Sequence, residues 1–195
     1  MSLNTVYLGL GSNIDREAHL CAGLDALAGI LTDMRCSPAF ESQAVGIKSG
    51  PFINFVVTGK TDLPLMELDR RLKFIEADNG RYAPERKGLP LDIDVLLYDD
   101  LHGTFDGLVL PRAEILKNAF VLWPLSLLAP ELVHPGVGKP MAQVWQEARI
   151  DQVRVNMERA RWLLYKLHEI MKGWVEKIFV AVWQHPQPLL HVCAS

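Results

Sequence analysis

The chain has 195 residues, 49% of them apolar, which suits one domain, or one domain plus an appendage, with a sizeable core. A net charge of −3 carries no global basic signature, so nucleic-acid binding is not expected. Three scattered cysteines lack zinc-ligand spacing and suggest no disulfide framework, the N-terminus does not read as a signal peptide, and no apolar run reaches a membrane span, so the expected setting is a reduced cytoplasm, away from membranes.

Thr5 to Gly11 reads as a buried strand, broken by Gly11-Ser12-Asn13. Arg16 to Ile30 carries Leu20, Leu24 and Leu27 at helical spacing. A strand, a glycine turn and a helix fit a phosphate-binding turn, and equally a tight turn with no ligand. Met34 to Ala44 reads as a second strand and Phe52 to Val57 as a third. Phe52 and Asn54 share a face of that third strand. An aromatic beside an amide suits a flat heterocycle, and also a core phenylalanine beside a polar strand end. Asp62-Leu63-Pro64 opens a helix whose core stripe is Leu65, Leu68, Leu72 and Ile75, and Asn79-Gly80 ends it. Glu76 sits near its C-terminus, where the dipole disfavours an acid; it is either solvated or a ligand contact.

Arg81 to Pro90 is a loop bearing Arg81, Arg86 and Lys87. The next stretch, Leu91 to Tyr98, alternates apolar and acidic residues and then becomes wholly apolar, a strand entering a core. Leu91, Ile93, Val95 and Leu97 point one way, and Asp92 and Asp94 the other, about 6.5 Å apart along the backbone. Paired carboxylates suit Mg²⁺, which takes one or two carboxylates plus substrate phosphates. An edge strand with a solvated acidic face is the alternative. Cations beside a carboxylate-bound metal match the charge of a polyphosphate, which tilts the reading toward function.

Leu108 to Leu110 reads as a short strand and Pro111 to Lys117 as loop or short helix. Phe120 to Leu128 is an apolar helix kinked or restarted at Pro124. His134 reads as structural, and Met141 to Ala148 as a short helix. From Asp151 to about Val182 a helical pattern carries Val153, Met157, Leu164, Leu167, Met171, Trp174 and Ile178 on one stripe, with Trp162 opposite. Such a helix covers the core or a second subunit, so a homo-oligomer through this helix is an open expectation. The expected division is 1–150 and a helical extension, 151–195.

The order of motifs resembles the 6-hydroxymethyl-7,8-dihydropterin pyrophosphokinase family over roughly residues 4–150. The matching stretches are Gly11-Ser12-Asn13, Phe52-Ile53-Asn54, Gly80-Arg81, Leu91 to Leu97, and Phe120 to Leu125. The resemblance implies an α+β fold, ferredoxin-like, with helices packed on an antiparallel sheet. It implies pyrophosphate transfer from ATP to the pterin, with two Mg²⁺ ions on Asp92 and Asp94. It implies pterin contacts from Val45, Phe52, Asn54 and Phe120, the two phenylalanines stacking and Asn54 reading the amide edge. It implies catalytic roles for Arg81, Arg86, Asp92 and Asp94, and ATP contacts from Glu76, Arg81, Arg86 and Lys87.

The chain departs from the family pattern on the ATP side. The family loop reads Arg-Trp-Gly-Pro-Arg-Thr, whereas here Arg86-Lys87-Gly88-Leu89-Pro90 puts Leu89 where the second arginine belongs. Pro111-Arg112 replaces Pro-His, and Asn118 replaces an arginine. Arg112 and Lys117 are candidates to restore the lost charge toward ATP. The expectation is therefore a pterin pyrophosphokinase or a paralogue that binds a pterin or nucleotide without efficient transfer. A nucleotidyltransferase built on Gly-Ser and Asp-x-Asp fits less well, since Gly11-Ser12 lies far upstream of Asp92.

Overall fold

The computed structural model describes residues 3–44, 49–150, 156–157, 166–167 and 169–170. The elements in chain order are β1 (Asn4–Ser12), α1 (Arg16–Ala28), β2 (Thr32–Cys36), β3 (Phe40–Ser42), β4 (Phe52–Thr61), α2 (Leu65–Asp78), β5 (Asp92–Tyr98), β6 (Gly103–Phe105), β7 (Leu108–Leu110), α3 (Glu114–Lys117), α4 (Ala119–Leu128), α5 (Met141–Glu147) and β8 (Asn156–Met157). Two compact units divide the chain, Met1–Ala160 and Arg161–Ser195.

β1 is apolar on both faces because it is the inner strand, antiparallel to β4 on one side and to β5 on the other. The main sheet runs β5-β1-β4-β3-β8, with β2 also paired to β4. β1-α1-β2/β3-β4-α2-β5 in that order is the ferredoxin-like arrangement expected. Val6, Leu8 and Leu10 are buried on one face of β1, where Leu31, between α1 and β2, lies against Gly59 of the paired strand. The leucine stripes of α1 and α2 (Leu20, Leu24, Leu27; Leu65, Leu68, Leu72) are buried as their spacing predicts. The opposite face carries Tyr7, Val56 and Leu96 into a cluster with Val121, Leu122 and Leu125 of α4.

Several expectations give way to tertiary structure. The strand predicted over Met34 to Ala44 is two strands, because Pro38 has no N–H for the ladder. Ser37 bridges the break: its N–H donates to the Val56 carbonyl (2.8 Å), and its Oγ accepts from the Val56 N–H (2.9 Å). α2 begins at Leu65 with Pro64 as its cap residue, three residues past Asp62. α4 runs through Pro124 without restarting, losing only the rung that a residue with an N–H would give to Phe120. In β5 the register shifts between Tyr7 and Leu8, making Leu96 an extra residue. Leu97, predicted on the Ile93 side, therefore joins Leu96 in the α4 cluster. His134 is buried, and its Nδ1 accepts from the Gly136 N–H at 3.1 Å.

The helix predicted from Asp151 is not continuous. Asn156 and Met157 pair with Glu41 and Phe40, so this stretch completes the sheet beyond residue 150. Open backbone groups along β3 outweigh a local helical periodicity there. Lys166, Leu167, Glu169 and Ile170 are helical, with Lys166 Nζ 4.0 Å from Glu169. The rest of the predicted helix, and the subunit interface read from it, lie outside the described residues. Among the described residues no helix is long and apolar enough to cross a membrane.

Candidate active site

The register of β5, β1 and β4 sets out the site in rows. Asp92 of β5 lies across from Gly11 of β1, which lies across from Asn54 of β4; Asp94, Gly9 and Val56 form the next row. Side chains in one row share a face, so the acids flank one side of β1 and Asn54 the other. The two glycines leave the floor between them bare. A Cβ on Gly11 would stand 2.8 Å from Asn54 Oδ1, and one on Gly9 would stand 3.4 Å from Leu96 Cδ2. Glycine inside a strand marks this kind of close approach. The alternation Gly9-x-Gly11 within the strand is the sequence signal for it.

Above this floor is a cleft of about 320 Å³ that Phe52, Asn54, Asp92, Asp94, Leu89 and Phe120 help to line. Five of the predicted site residues thus converge from β4, β5 and the first turn of α4. Asn54 is nearly fully buried, and its Nδ2 donates to Ser42 Oγ at 2.8 Å. Asn118, which stands where the family pattern has an arginine, also borders the cleft. Val45 lies outside the described residues.

Each acid is met by an arginine. Arg112 Nη2 donates to Asp94 Oδ1 at 2.9 Å. Arg81 Nη1 is 3.1 Å from Asp92 Oδ1, an ion pair in which that buried nitrogen makes no hydrogen bond. Burial, and then the neighbouring charge of Asp94, push the Asp92 carboxyl up to about 6 against the pull of Arg81. Behind the strand, Glu76 is fully buried. Its Oε1 accepts from the Ile93 N–H at 2.7 Å, and both its oxygens lie 3.2 Å from Lys73 Nζ. Desolvation alone would lower the Lys73 ammonium, but Glu76 and then Asp94 hold it above its ordinary value. Glu76, expected to face ATP, bonds in this structure to the backbone N–H between the two acids and so ties α2 to β5.

The loop between α2 and β5 is pinned from below. The Asn13 N–H donates to the Leu89 carbonyl at 3.1 Å, and Asn13 Oδ1 accepts from the Leu89 N–H at 2.6 Å. Asn13 Nδ2 also reaches the Gly50 carbonyl at 3.3 Å. The Gly11-Ser12-Asn13 turn therefore fixes the loop that frames the cleft. A Cβ on Gly88 would fall 2.7 Å from Asn13 Oδ1, so this contact needs a glycine there. Leu89 is held at the cleft as a result. Arg86 and Lys87 are exposed, and Arg86 Nη1 turns back to the Gly88 carbonyl at 3.0 Å. Lys117 is exposed on α3. None of these three borders the cleft.

Among the described residues no group of three or more His, Cys, Asp or Glu side chains forms a metal cage. The donor set facing the cleft is two half-buried carboxylates on one strand face. Oxygen donors in that number fit a hard cation that completes its shell with water and phosphate oxygens.

Residues 7–130, from β1 through α4, match the family described as 7,8-dihydro-6-hydroxymethylpterin-pyrophosphokinase (HPPK). The chain belongs to this family. It is 36% identical over 142 residues to the 2-amino-4-hydroxy-6-hydroxymethyldihydropteridine pyrophosphokinase of Aquifex aeolicus, covering 71% of this chain and 89% of that one. It is 34% identical over 145 residues to the enzyme of the same name from Synechocystis, covering 72% and 74%. The fold is that of the Plasmodium falciparum HPPK-DHPS crystal structure, with a TM-score of 0.60 at 13% identity over 75% of this chain; the match spans 45% of that longer chain. The HPPK match holds the glycine floor, both acids, Phe52, Asn54, Phe120 and both arginines within its bounds.

Proposed function

We propose that the protein transfers pyrophosphate from ATP to the hydroxymethyl group of 6-hydroxymethyl-7,8-dihydropterin, a step of folate synthesis. Family membership gives the reaction, and the observation that supports it for this chain is the bare glycine floor between an aromatic and amide side and a paired-carboxylate side. Phe52 and Phe120 stack on the flat pterin, and Asn54 bonds its amide edge. Asp92 and Asp94 are the residues that would hold Mg²⁺, two ions in this reading. When bound, Mg²⁺ neutralises charge on the transferring phosphates and orients them. The hydroxyl oxygen attacks the β-phosphorus, the bond from that phosphorus to the bridging oxygen breaks, AMP leaves, and the hydroxyl proton goes to water. Arg81 and Arg112 face the developing charge, and Glu76 keeps the acids in register through Ile93.

The direct test is AMP formation from ATP and the hydroxymethyl pterin. AMP and pterin pyrophosphate appear in equal amounts, and Asp94→Asn abolishes both products while the fold persists. Absence of AMP with both substrates present overturns the reading. One observation favours a slower variant of it: Leu89 lines the cleft while Arg86 and Lys87 stay outside. That variant binds pterin and nucleotide, measured by calorimetry, with little transfer.

A further inference from the structure

The two acids are not held alike. The Arg81 nitrogen beside Asp92 makes no hydrogen bond, whereas Arg112 donates to Asp94 and is held by further contacts to its neighbours. Its backbone N–H donates to the Leu96 carbonyl at 3.0 Å, two residues beyond Asp94 on the same strand. Its Nη2 donates to Asp94 Oδ1 at 2.9 Å, and its Nε lies 3.7 Å from Glu114 Oε2. The side chain is half-buried, so the guanidinium sits between two carboxylates at the edge of the cleft instead of extending into solvent.

We propose that Arg112 is a resident counter-ion for Asp94, occupying the flank of that carboxylate which a divalent cation needs, so that cation binding depends on nucleotide. This rests on the reading of Asp92 and Asp94 as cation ligands. A dication on Asp94 Oδ1 would stand against the guanidinium, and two positive groups so close in a half-buried cleft repel strongly. Without nucleotide, Arg112 wins that position because its anchors are already made. With nucleotide, the phosphates offer the guanidinium fork a bidentate partner, and Arg112 releases Asp94 to the metal. Nucleotide and cation then assist each other's binding, reciprocally, through one side chain. The same exchange keeps the acid pair compensated between turnovers, when the cleft holds no cation.

The test is Mn²⁺ binding to the full chain, by electron paramagnetic resonance and calorimetry, with and without a non-hydrolysable ATP analogue. Without nucleotide, Arg112→Gln binds Mn²⁺ more tightly than the natural protein, by about tenfold. The factor by which the analogue tightens Mn²⁺ binding shrinks by a similar amount. In an Asp94→Asn background, Arg112→Gln has no such effect on Mn²⁺. Thermal melting checks that the variant is folded, and Arg112→Lys, which keeps the charge but loses the fork, shifts affinity in the same direction by less. Unchanged or weaker Mn²⁺ binding by both variants without nucleotide overturns the counter-ion role while leaving the acids as ligands. If neither the natural protein nor the variants bind Mn²⁺ even with the analogue, the ligand reading fails, and the counter-ion role fails with it.

Discussion

Asp92→Asn separates what the site costs the fold from what it does for the reaction. In the folded chain, burial and then the Asp94 charge raise the Asp92 carboxyl from its ordinary 3.8 to about 6. Two pH units correspond to about 3 kcal/mol at 1.36 kcal/mol each, and screening at a side chain still 31% exposed reduces this to about 1–2 kcal/mol. The direction follows from proton binding. Because the folded pKa lies above the unfolded one, between about pH 4 and 6 the native chain holds a proton that the unfolded chain has lost, so stability falls as pH rises through that window. Asparagine resembles the protonated acid at every pH, so the variant escapes this fall. Urea unfolding in EDTA, repeated from pH 4 to 7.5, is the assay. The stability of the variant relative to the natural protein should rise by about 1–2 kcal/mol across the window, or roughly 3–6 °C in melting temperature for a chain of this size. The same variant should lose transfer, since it lacks a charged ligand. A difference that does not grow between pH 4 and 7.5 refutes the claim that folding disfavours the Asp92 anion.

Other perturbations test the frame around the acids. Glu76→Ala strips the buried Ile93 N–H and Lys73 of their partner and should cost about 2–4 kcal/mol in urea unfolding, with Glu76→Gln recovering part because its carbonyl still accepts from Ile93; a loss under about 1 kcal/mol would mean water replaces the carboxylate. Gly11→Ala should push the Asn54 amide aside and lower pterin affinity by about tenfold or more in calorimetry. It should barely move the melting temperature, and normal pterin binding would show the bare floor to be incidental. Leu89→Arg adds a guanidinium at a backbone position that Asn13 already fixes, and should raise the single-turnover transfer rate more than it changes ATP affinity. No change, or slower transfer, would place the missing charge on another residue.

Much of the fold was legible because its signals are local. The two faces of β1, the leucine stripes of α1 and α2 and the apolar run of α4 each declare their element within a dozen residues. The errors fall where a distant partner decides. Leu97 changes face because β1 imposes a bulge on β5, and Asn156–Met157 become a strand because β3 leaves an edge open. The same division holds for the site. Asp92, Asp94, Phe52 and Asn54 reached one cleft, since alternation on a strand fixes the face, and Phe120 joins them from the first turn of α4. Which arginine meets which acid was not legible, because Arg112 and Asp94 meet only through the packing of a later loop on β5. The surroundings of Glu76 were not legible either: an acid near a helix C-terminus looks unfavourable from sequence, and only the tertiary partners Ile93 N–H and Lys73 make it a buried anchor.

The placement of the site's floor, acids and amide on three paired strands explains why so few residues define it. Asn54 and Asp92 are two strand spacings apart, roughly 9.5 Å from backbone to backbone. With side chains at Gly9 and Gly11 that gap would be filled core, and with glycines it is a flat trough whose width the hydrogen-bond ladder fixes. The ladder cannot widen to suit a ligand, so discrimination falls to what stands at the rims: Phe52, Asn54 and Phe120 on one side, the acids with their arginines on the other. A change at a rim, such as Leu89 or Arg112, alters charge or reach without disturbing the floor. Under the proposed function, a family member can therefore diverge on the rim assigned to the nucleotide while the rim assigned to the pterin keeps its residues.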